Sequence, residues 1–464
     1  DINDISNILL NWEDYYAHID PINKRRPELL NEHIHLVQRK FESLVKIHLL
    51  DPVIDKLINN LLLECGKERD KKLFNFIKKA WVEVIVYHDY GKVNENFQGS
   101  PDKMNNERFK GLLDISSPLN TTHSSLGAYL YLVKHFDEIK ECNKEDHGFL
   151  IIVCLTFSYS IFRHHSSYLG DNLKEKVTFN ETEISYMKKY VDLFCWNIDV
   201  NLLDILPLKI PVIFETFHGY FKSFALYSLN RLIFSLLTAS DYLASGEYMT
   251  GVKVQDNELG SLTRERINTI YEFVTSSDWI DHNRNKVNFN KKTFEKANGS
   301  YIYRNPRERS NSNLNLLRQE MGIEVLKKIR DHYRSNLFYI EAPTGGGKTN
   351  LSFIATIELL KRCENLNKVF YVFPFTTLIT QTHKSLIETF NLKEDEVIML
   401  SSKSGFKERF DIEDDSYGNQ KRFYLDNLFC LFPFCLVTHI GFFNILKTNT
   451  KEENYLLHRI ANSV

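Results

Sequence analysis

Cysteine is scarce and shows no paired spacing: seven residues in 464, an odd number, with no C-x-x-C. This argues against a disulfide framework and fits a reducing cytoplasm. Long apolar runs are also missing. No uninterrupted stretch reaches the roughly 18–20 residues that span a bilayer, which argues against a membrane protein. The N-terminus, Asp1-Ile2-Asn3-Asp4, is acidic and lacks the charged-then-apolar layout of a signal peptide. Net charge is close to zero, at −2, so overall charge neither favours nor excludes a nucleic-acid partner. Internal repeats and low-complexity tracts are absent. What remains is the make-up of a soluble globular chain, 43% hydrophobic and 25% charged, long enough for two or three domains.

Residues 1 to about 250 read as helical. Apolar-periodic segments recur over Pro27–Leu50, Leu73–Tyr90, Ser124–Phe136, Phe149–Phe162, Thr182–Trp196 and Phe221–Ala244. Residues 251–313 are more polar and read as a linker. Within them Arg284, Lys286, Lys291, Lys292, Lys296, Arg304, Arg307 and Arg309 face only Glu295 and Glu308 in sequence, a run that reads first as a solvated connector. From Leu314 to residue 464 strands alternate with helices. Leu337–Ile340, Val369–Phe373, Glu396–Leu400 and Phe434–Thr438 predict a parallel α/β sheet.

Tyr87-His88-Asp89-Tyr90-Gly91-Lys92 closes an apolar helical run. A His-Asp dipeptide alone is a weak signal for a metal, so further ligands must come from elsewhere. On the first long helix His33 shares a face with Leu30, Val37, Phe41 and Leu44, so it points inward, whereas His35 points to water. His123 opens a helix, His164-His165 ends an apolar one, and Asp241 lies in Leu236–Leu243, where a carboxylate needs a partner. Each also reads as a cap, a surface pair or a core polar group. Together they form a donor set suited to first-row transition metals.

The order His33, His88-Asp89, His123, His164-His165, Asp241 resembles the HD phosphohydrolase superfamily. The form His88-Asp89-Tyr90-Gly91-Lys92 followed by Phe97-Gln98 is similar to its CRISPR-associated nuclease branch, although Arg163 and Ser166, not glycine, flank the histidine pair. The resemblance implies that His33, His88, Asp89 and Asp241 hold one divalent ion. Asp89 then bridges to a second ion on His123, His164 and His165, the metals being Mn, Fe, Co or Ni. It also implies catalytic roles for Asp89 and for Lys92, whose ammonium would meet a phosphate oxygen.

Ala342-Pro343-Thr344-Gly345-Gly346-Gly347-Lys348-Thr349 has the Walker A form between an apolar stretch and a helix. Backbone N–H groups of Gly345, Gly346 and Gly347 would cradle phosphates, Lys348 would reach the β- and γ-phosphates of ATP, and Thr349 would ligate Mg²⁺. The surroundings resemble superfamily 2 helicases. By that resemblance Gln319 reads adenine, and Thr376 and Thr438 touch the nucleic-acid backbone. No acidic Walker B motif appears in context, since Glu413-Asp414-Asp415 follows no strand.

The expectation is therefore a multidomain chain: an all-α HD-type domain (1–250), a linker (251–313), and an incomplete α/β RecA-like helicase domain (314–464) that stops before Walker B. Such a piece would bind nucleotide without coupled unwinding. The family implied is the CRISPR-associated HD nuclease-helicase of type I interference systems, in which single-stranded DNA opened by an RNA-guided surveillance complex is drawn in and cut. An HD-type nucleotide phosphohydrolase and a non-catalytic recruitment module are the competing readings.

Overall fold

A computed structural model describes residues 8–20, 25–67, 70–166, 179–196, 198, 212–213, 215–276, 278–280, 286–302, 314–400, 431–447 and 454–464. Glu413-Asp414-Asp415 and the arginines at 284, 304, 307 and 309 lie outside these residues. The described chain forms two compact units. The first runs to Val254 and regains Ile445–His458; the second takes 255–400, 431–444 and Arg459–Val464.

The first unit is a helical bundle with one antiparallel hairpin, β1 (Tyr16–Asp20) and β2 (Arg25–Leu29), a departure from the all-helical expectation. Its helices are α1 (Leu30–Ile47), α2 (Asp51–Glu64), α3 (Lys71–Tyr87), α4 (Glu95–Gly99), α5 (Ser124–Ile139), α6 (His147–Arg163), α7 (Glu181–Met187) and α8 (Phe224–Thr250). α6 is apolar on all sides, so it can be stable in water only when enclosed. It packs against α3, α5 and α8 and buries Leu150, Val153, Phe157 and Ile161. By length and composition Lys144–Arg163 passes as a membrane span, but most of it is buried inside the bundle.

α8 packs on α1, α2 and α6. Ser223 caps it by accepting the Leu226 N–H, and Gly251 ends it at φ 70°. α3 starts on Asp70, whose carboxylate accepts the Lys72 and Leu73 N–H groups, and buries Leu73, Ile77, Trp81 and Val84. Each such side chain contributes about 1.5–3 kcal/mol of burial energy. Where α3 ends, His88 and Asp89 leave the helix into a 3₁₀ turn, Tyr90–Val93.

The second unit holds a short antiparallel pair, β3 (Trp279–Ile280) with β4 (Lys286–Val287), and a parallel sheet in the order β5-β7-β6, with β5 (Val369–Phe373), β6 (Val397–Leu400) and β7 (Phe434–Thr438). Its helices are α9 (Arg264–Ser276), α10 (Phe289–Asn298), α11 (Leu314–His332), α12 (Lys348–Arg362) and α13 (Thr376–Phe390); α14 (His439–Lys447) follows β7. Residues 251–313 are more than a linker where described. Ile267, Ile270 and Val274 of α9, at helical spacing, and Phe294 of α10 join the core with Ile323, Phe353, Ile354 and Phe434.

Leu337–Ile340 does not form the expected strand. Phe338 and Ile340 pack inward toward Ile329 and Ala355, while Leu337 and Tyr339 are 87% and 86% exposed. The alternation is strand-like, but a strand also requires a neighbour, and none of the described residues makes a ladder with it. Beside β5, Val464 donates to the Lys368 carbonyl and accepts from the Phe370 N–H, both at 2.9 Å, in a parallel bridge.

Candidate metal centre and phosphate loop

Asp89 sits at the middle of the helical unit, 2% exposed, in the turn after α3. Its two carboxylate oxygens face different groups. Oδ2 lies 3.3 Å from His33 Nε2 and 3.5 Å from His88 Nε2; Oδ1 lies 3.5 Å from His123 Nε2 and 3.7 Å from His164 Nε2. Asp241 of α8 comes within 3.3 Å of His33 Nε2. His165, exposed, places its Nε2 2.8 Å from that of His123. Six of the seven residues singled out as metal ligands thus converge in two groups sharing Asp89, His33-His88-Asp89 and Asp89-His123-His164-His165, and the seventh, Asp241, reaches the first group through His33.

The local folding explains the convergence. His88 and His164 each end a buried helix and set Nδ1 against the carbonyl three residues back, Ile85 at 2.7 Å and Ile161 at 2.6 Å. Those carbonyls accept the Nδ1–H, which leaves Nε2 as the lone-pair nitrogen. The Nε2 atoms of His33, His88 and His164 are buried and make no hydrogen bond. Orphaned imidazole nitrogens gathered on a carboxylate fit divalent cations.

Gly91 permits the assembly: a Cβ there would lie 1.8 Å from the His123 carbonyl oxygen and 2.7 Å from the Gly127 nitrogen. Only a bare Cα lets the His88-Asp89 turn lie against the start of α5.

Electrostatics suit the same use. Burial holds His88 and His123 down at about 4 against the pull of Asp89, so both rings are neutral near pH 7. Burial alone would raise Asp89, but Lys92 and the surrounding imidazoles outweigh it and keep the carboxyl well below its usual range. For His33, burial is overridden by Glu28, Asp241 and Asp89, which raise it well above 6.5.

Lys92, expected to meet a phosphate oxygen, is buried. Its ammonium lies 2.8 Å from Asp89 Oδ2 and donates to the Ala17 carbonyl at 3.2 Å. A buried ammonium requires a close counter-charge, and Asp89 three residues back supplies it.

Two residues at this centre escaped the sequence reading. His18 and Glu28 are cross-strand partners in the β1–β2 hairpin. Glu28 Oε2 accepts from His18 Nδ1 at 2.8 Å and lies 3.2 Å from His33 Nδ1, the latter contact angled rather than a well-formed hydrogen bond. The hairpin is fastened by Gln98, whose amide donates to the Tyr16 and Lys92 carbonyls and accepts the Tyr16 N–H. The Phe97-Gln98 pair thus has a physical task at its second residue.

In the second unit Gly345 and Gly347 adopt φ of 79° and 80°, the left-handed region that favours glycine, and α12 starts at Lys348. Lys348 is exposed and donates to the Pro343 carbonyl at 3.0 Å; Thr349 is exposed beside it. Arg318 of α11 clamps the loop through two bonds to the Gly345 carbonyl, at 2.9 and 2.7 Å. Gln319 is buried and accepts from Lys296 at 2.6 Å. Thr376 opens α13 just after β5, and Thr438 closes the adjacent β7, its hydroxyl accepting the Gly441 N–H. Thr438 stands at the carboxyl end of its parallel strand and Thr376 just past that of β5, where open α/β sheets bind ligands.

Residues 319–447 match the DEAD/DEAH box helicase family, a span that includes the phosphate loop, Thr376 and Thr438. The second unit therefore carries a helicase domain, of a family that uses ATP and Mg²⁺. No curated protein matches the chain. Among solved structures it is similar to T. fusca Cas3-ATP and T. fusca Cas3, each at 12% identity and a TM-score of 0.45, covering 97% of this chain and 46% of theirs. The chain thus spans less than half the length of either.

Proposed function

We propose that the chain is a metal-dependent DNA nuclease joined to the first part of a helicase motor, of the CRISPR-associated HD nuclease-helicase family. The observation that carries this reading is the Asp89 carboxylate, with one oxygen toward each imidazole group. His33, His88, Asp89 and Asp241 would hold one divalent ion; Asp89, His123, His164 and His165 would hold the other. Bound there, two such ions would supply an activated water and stabilisation for the leaving oxygen of a phosphodiester.

The chain's own groups do the rest. Lys92 keeps Asp89 ionised and fixes its Oδ2. The backbone carbonyls of Ile85 and Ile161 select the tautomers of His88 and His164. His165, the exposed member, marks the side open to substrate. The substrate is single-stranded DNA, delivered by an RNA-guided surveillance complex in the cytoplasm. There an ATP-driven helicase motor would draw the strand forward, to which this chain would contribute ATP contacts at Gly345–Thr349 and DNA contacts at Thr376 and Thr438.

The test is cleavage of circular single-stranded DNA with Mn²⁺, Co²⁺, Ni²⁺ or Fe²⁺, wild type against Asp89→Ala. The substitution should abolish nicking and reduce it more than the loss of any one histidine, because only Asp89 faces both groups. Equal activity in the two proteins would refute the reading. Phosphate release from nucleotides without DNA nicking would favour the phosphohydrolase instead.

A further inference from the structure

His18 and Glu28 are buried titratable groups that the ligand set above leaves unused. Their contacts close a ring of five side chains. Asp89 Oδ2 lies 3.3 Å from His33 Nε2, and His33 Nδ1 lies 3.2 Å from Glu28 Oε2. The same Glu28 oxygen lies 2.8 Å from His18 Nδ1, and His18 Nε2 lies 3.4 Å from Lys92 Nζ. The Lys92 ammonium returns to Asp89 Oδ2 at 2.8 Å. No member is more than 8% exposed.

His33 is the member on which the geometry bears. An imidazole offers a ligand lone pair on one nitrogen when the other carries its proton, and an anion beside one nitrogen selects which. Glu28 stands at Nδ1; Asp89 and Asp241 stand at Nε2, 3.3 Å each. A carboxylate behind a ligating histidine fixes ring orientation and raises ligand basicity. Two other histidines of the centre use backbone carbonyls for this purpose. On α1 the residue three back from His33 is Leu30, and it is the hairpin that places a carboxylate beside Nδ1 instead.

We infer that Glu28 is a positioning residue of the centre: its carboxylate, 3.2 Å from His33 Nδ1, favours the proton on that nitrogen so that Nε2 faces an ion shared with His88, Asp89 and Asp241. His18, itself braced on Lys92, keeps Glu28 in place. The inference rests on the two-ion reading given above.

The experiment is calorimetric titration of the purified chain with Mn²⁺, with bound metal counted after dialysis at fixed free Mn²⁺. Wild type should bind two ions. Glu28→Gln keeps the shape and loses the charge, and should weaken one ion about 10–100-fold while sparing the other. Glu28→Asp should recover part of the affinity. In His33→Ala, adding Glu28→Gln should cost nothing more, because the group being positioned has gone.

Two ions bound by Glu28→Gln with wild-type affinity would overturn the positioning role alone, and equal weakening of both ions would do the same. A wild type that binds no ion would overturn the two-ion reading and this inference with it. If Glu28→Gln does not fold, His18→Asn leaves the carboxylate charged but unbraced. It should weaken the same ion, and unchanged affinity there overturns the role.

Discussion

Gly91→Ala is the sharpest structural perturbation of the metal centre, because it adds one methyl group and removes no ligand. The new Cβ would stand 1.8 Å from the His123 carbonyl oxygen, and ordinary contact begins at 3.4 Å, so that carbonyl must retreat by about 1.6 Å. The obstacle is backbone. The struck oxygen accepts the first hydrogen bond of α5, from the Gly127 N–H at 2.9 Å, and Gly127 is itself packed against the Tyr87 and His88 carbonyls. No side chain can swing away to relieve the clash.

Overpacking typically costs about 1–3 kcal/mol, and a backbone clash belongs at or above the upper end. A loss of about 3 kcal/mol lowers the melting temperature of a 150–250-residue unit by about 6–12 °C. The displacement carries His123 away from Asp89 Oδ1, now 3.5 Å from its Nε2, while His33 on α1 is untouched. Calorimetry and Mn²⁺ counting should therefore show a lower melting temperature and one retained ion where wild type keeps two. A variant with the wild-type melting temperature and two ions would refute the close-approach argument.

Three further outcomes follow from the same structure. Burial would raise the Glu28 carboxyl, but His33 and His18 hold it at about 2 against 4.5 when unfolded. Its contribution, about 3 kcal/mol, is full above pH 4.5 and lost as pH falls toward 2, so the urea stability gap between wild type and Glu28→Gln should close over that window. A pH-independent gap would refute it. Lys348→Ala should weaken binding of a fluorescent ATP analogue at least about tenfold and leave metal-dependent DNA cleavage unchanged, since its ammonium is the loop's own group for the β- and γ-phosphates. Glu358 is buried on α12 and accepts from Arg330 at 2.8 Å, Arg362 at 2.6 Å and Tyr271 at 3.1 Å. Its replacement by alanine should cost the second unit about 1.5–3 kcal/mol, read as an early urea transition, because the half-buried Arg330 guanidinium loses its counter-charge and the buried carboxylate's hydrogen bonds are lost.

How far the sequence was legible depends on how local each signal is. His33 was readable as inward because Val37, Phe41 and Leu44 repeat on its face at helical spacing, and all are buried. β5 and β7 were readable as short β-branched and aromatic runs, and their bounds agree with the structure. α2 went unread although Asp51-Pro52 ahead of Ile54, Ile58 and Leu61 carries the signal of proline in a first helical turn. α9 was hidden in a polar stretch, where only the spacing of Ile267, Ile270 and Val274 betrays a buried face.

His18 and Glu28 had no local signal at all. Each reads as an ordinary polar residue, and only strand register and the return of Lys92 from 74 positions away give them a shared role. Leu337–Ile340 shows the reverse case, a correct alternation that does not become a strand without a neighbour to bond.

The span of chain that builds the metal centre has a consequence for how the protein comes into being. His18 and Glu28 come from the hairpin, His33 from α1, Asp89 from the turn after α3, His123 and His164 from the ends of α5 and α6, and Asp241 from α8. Contacts so distant in sequence form late, because loop closure must be met before they are rewarded. On the ribosome, a nascent chain lacks Asp241 until α8 has been made. If the centre is the nuclease site proposed above, hydrolytic capacity arrives only with a finished bundle, and the order of synthesis itself keeps an incomplete chain from cutting nucleic acid.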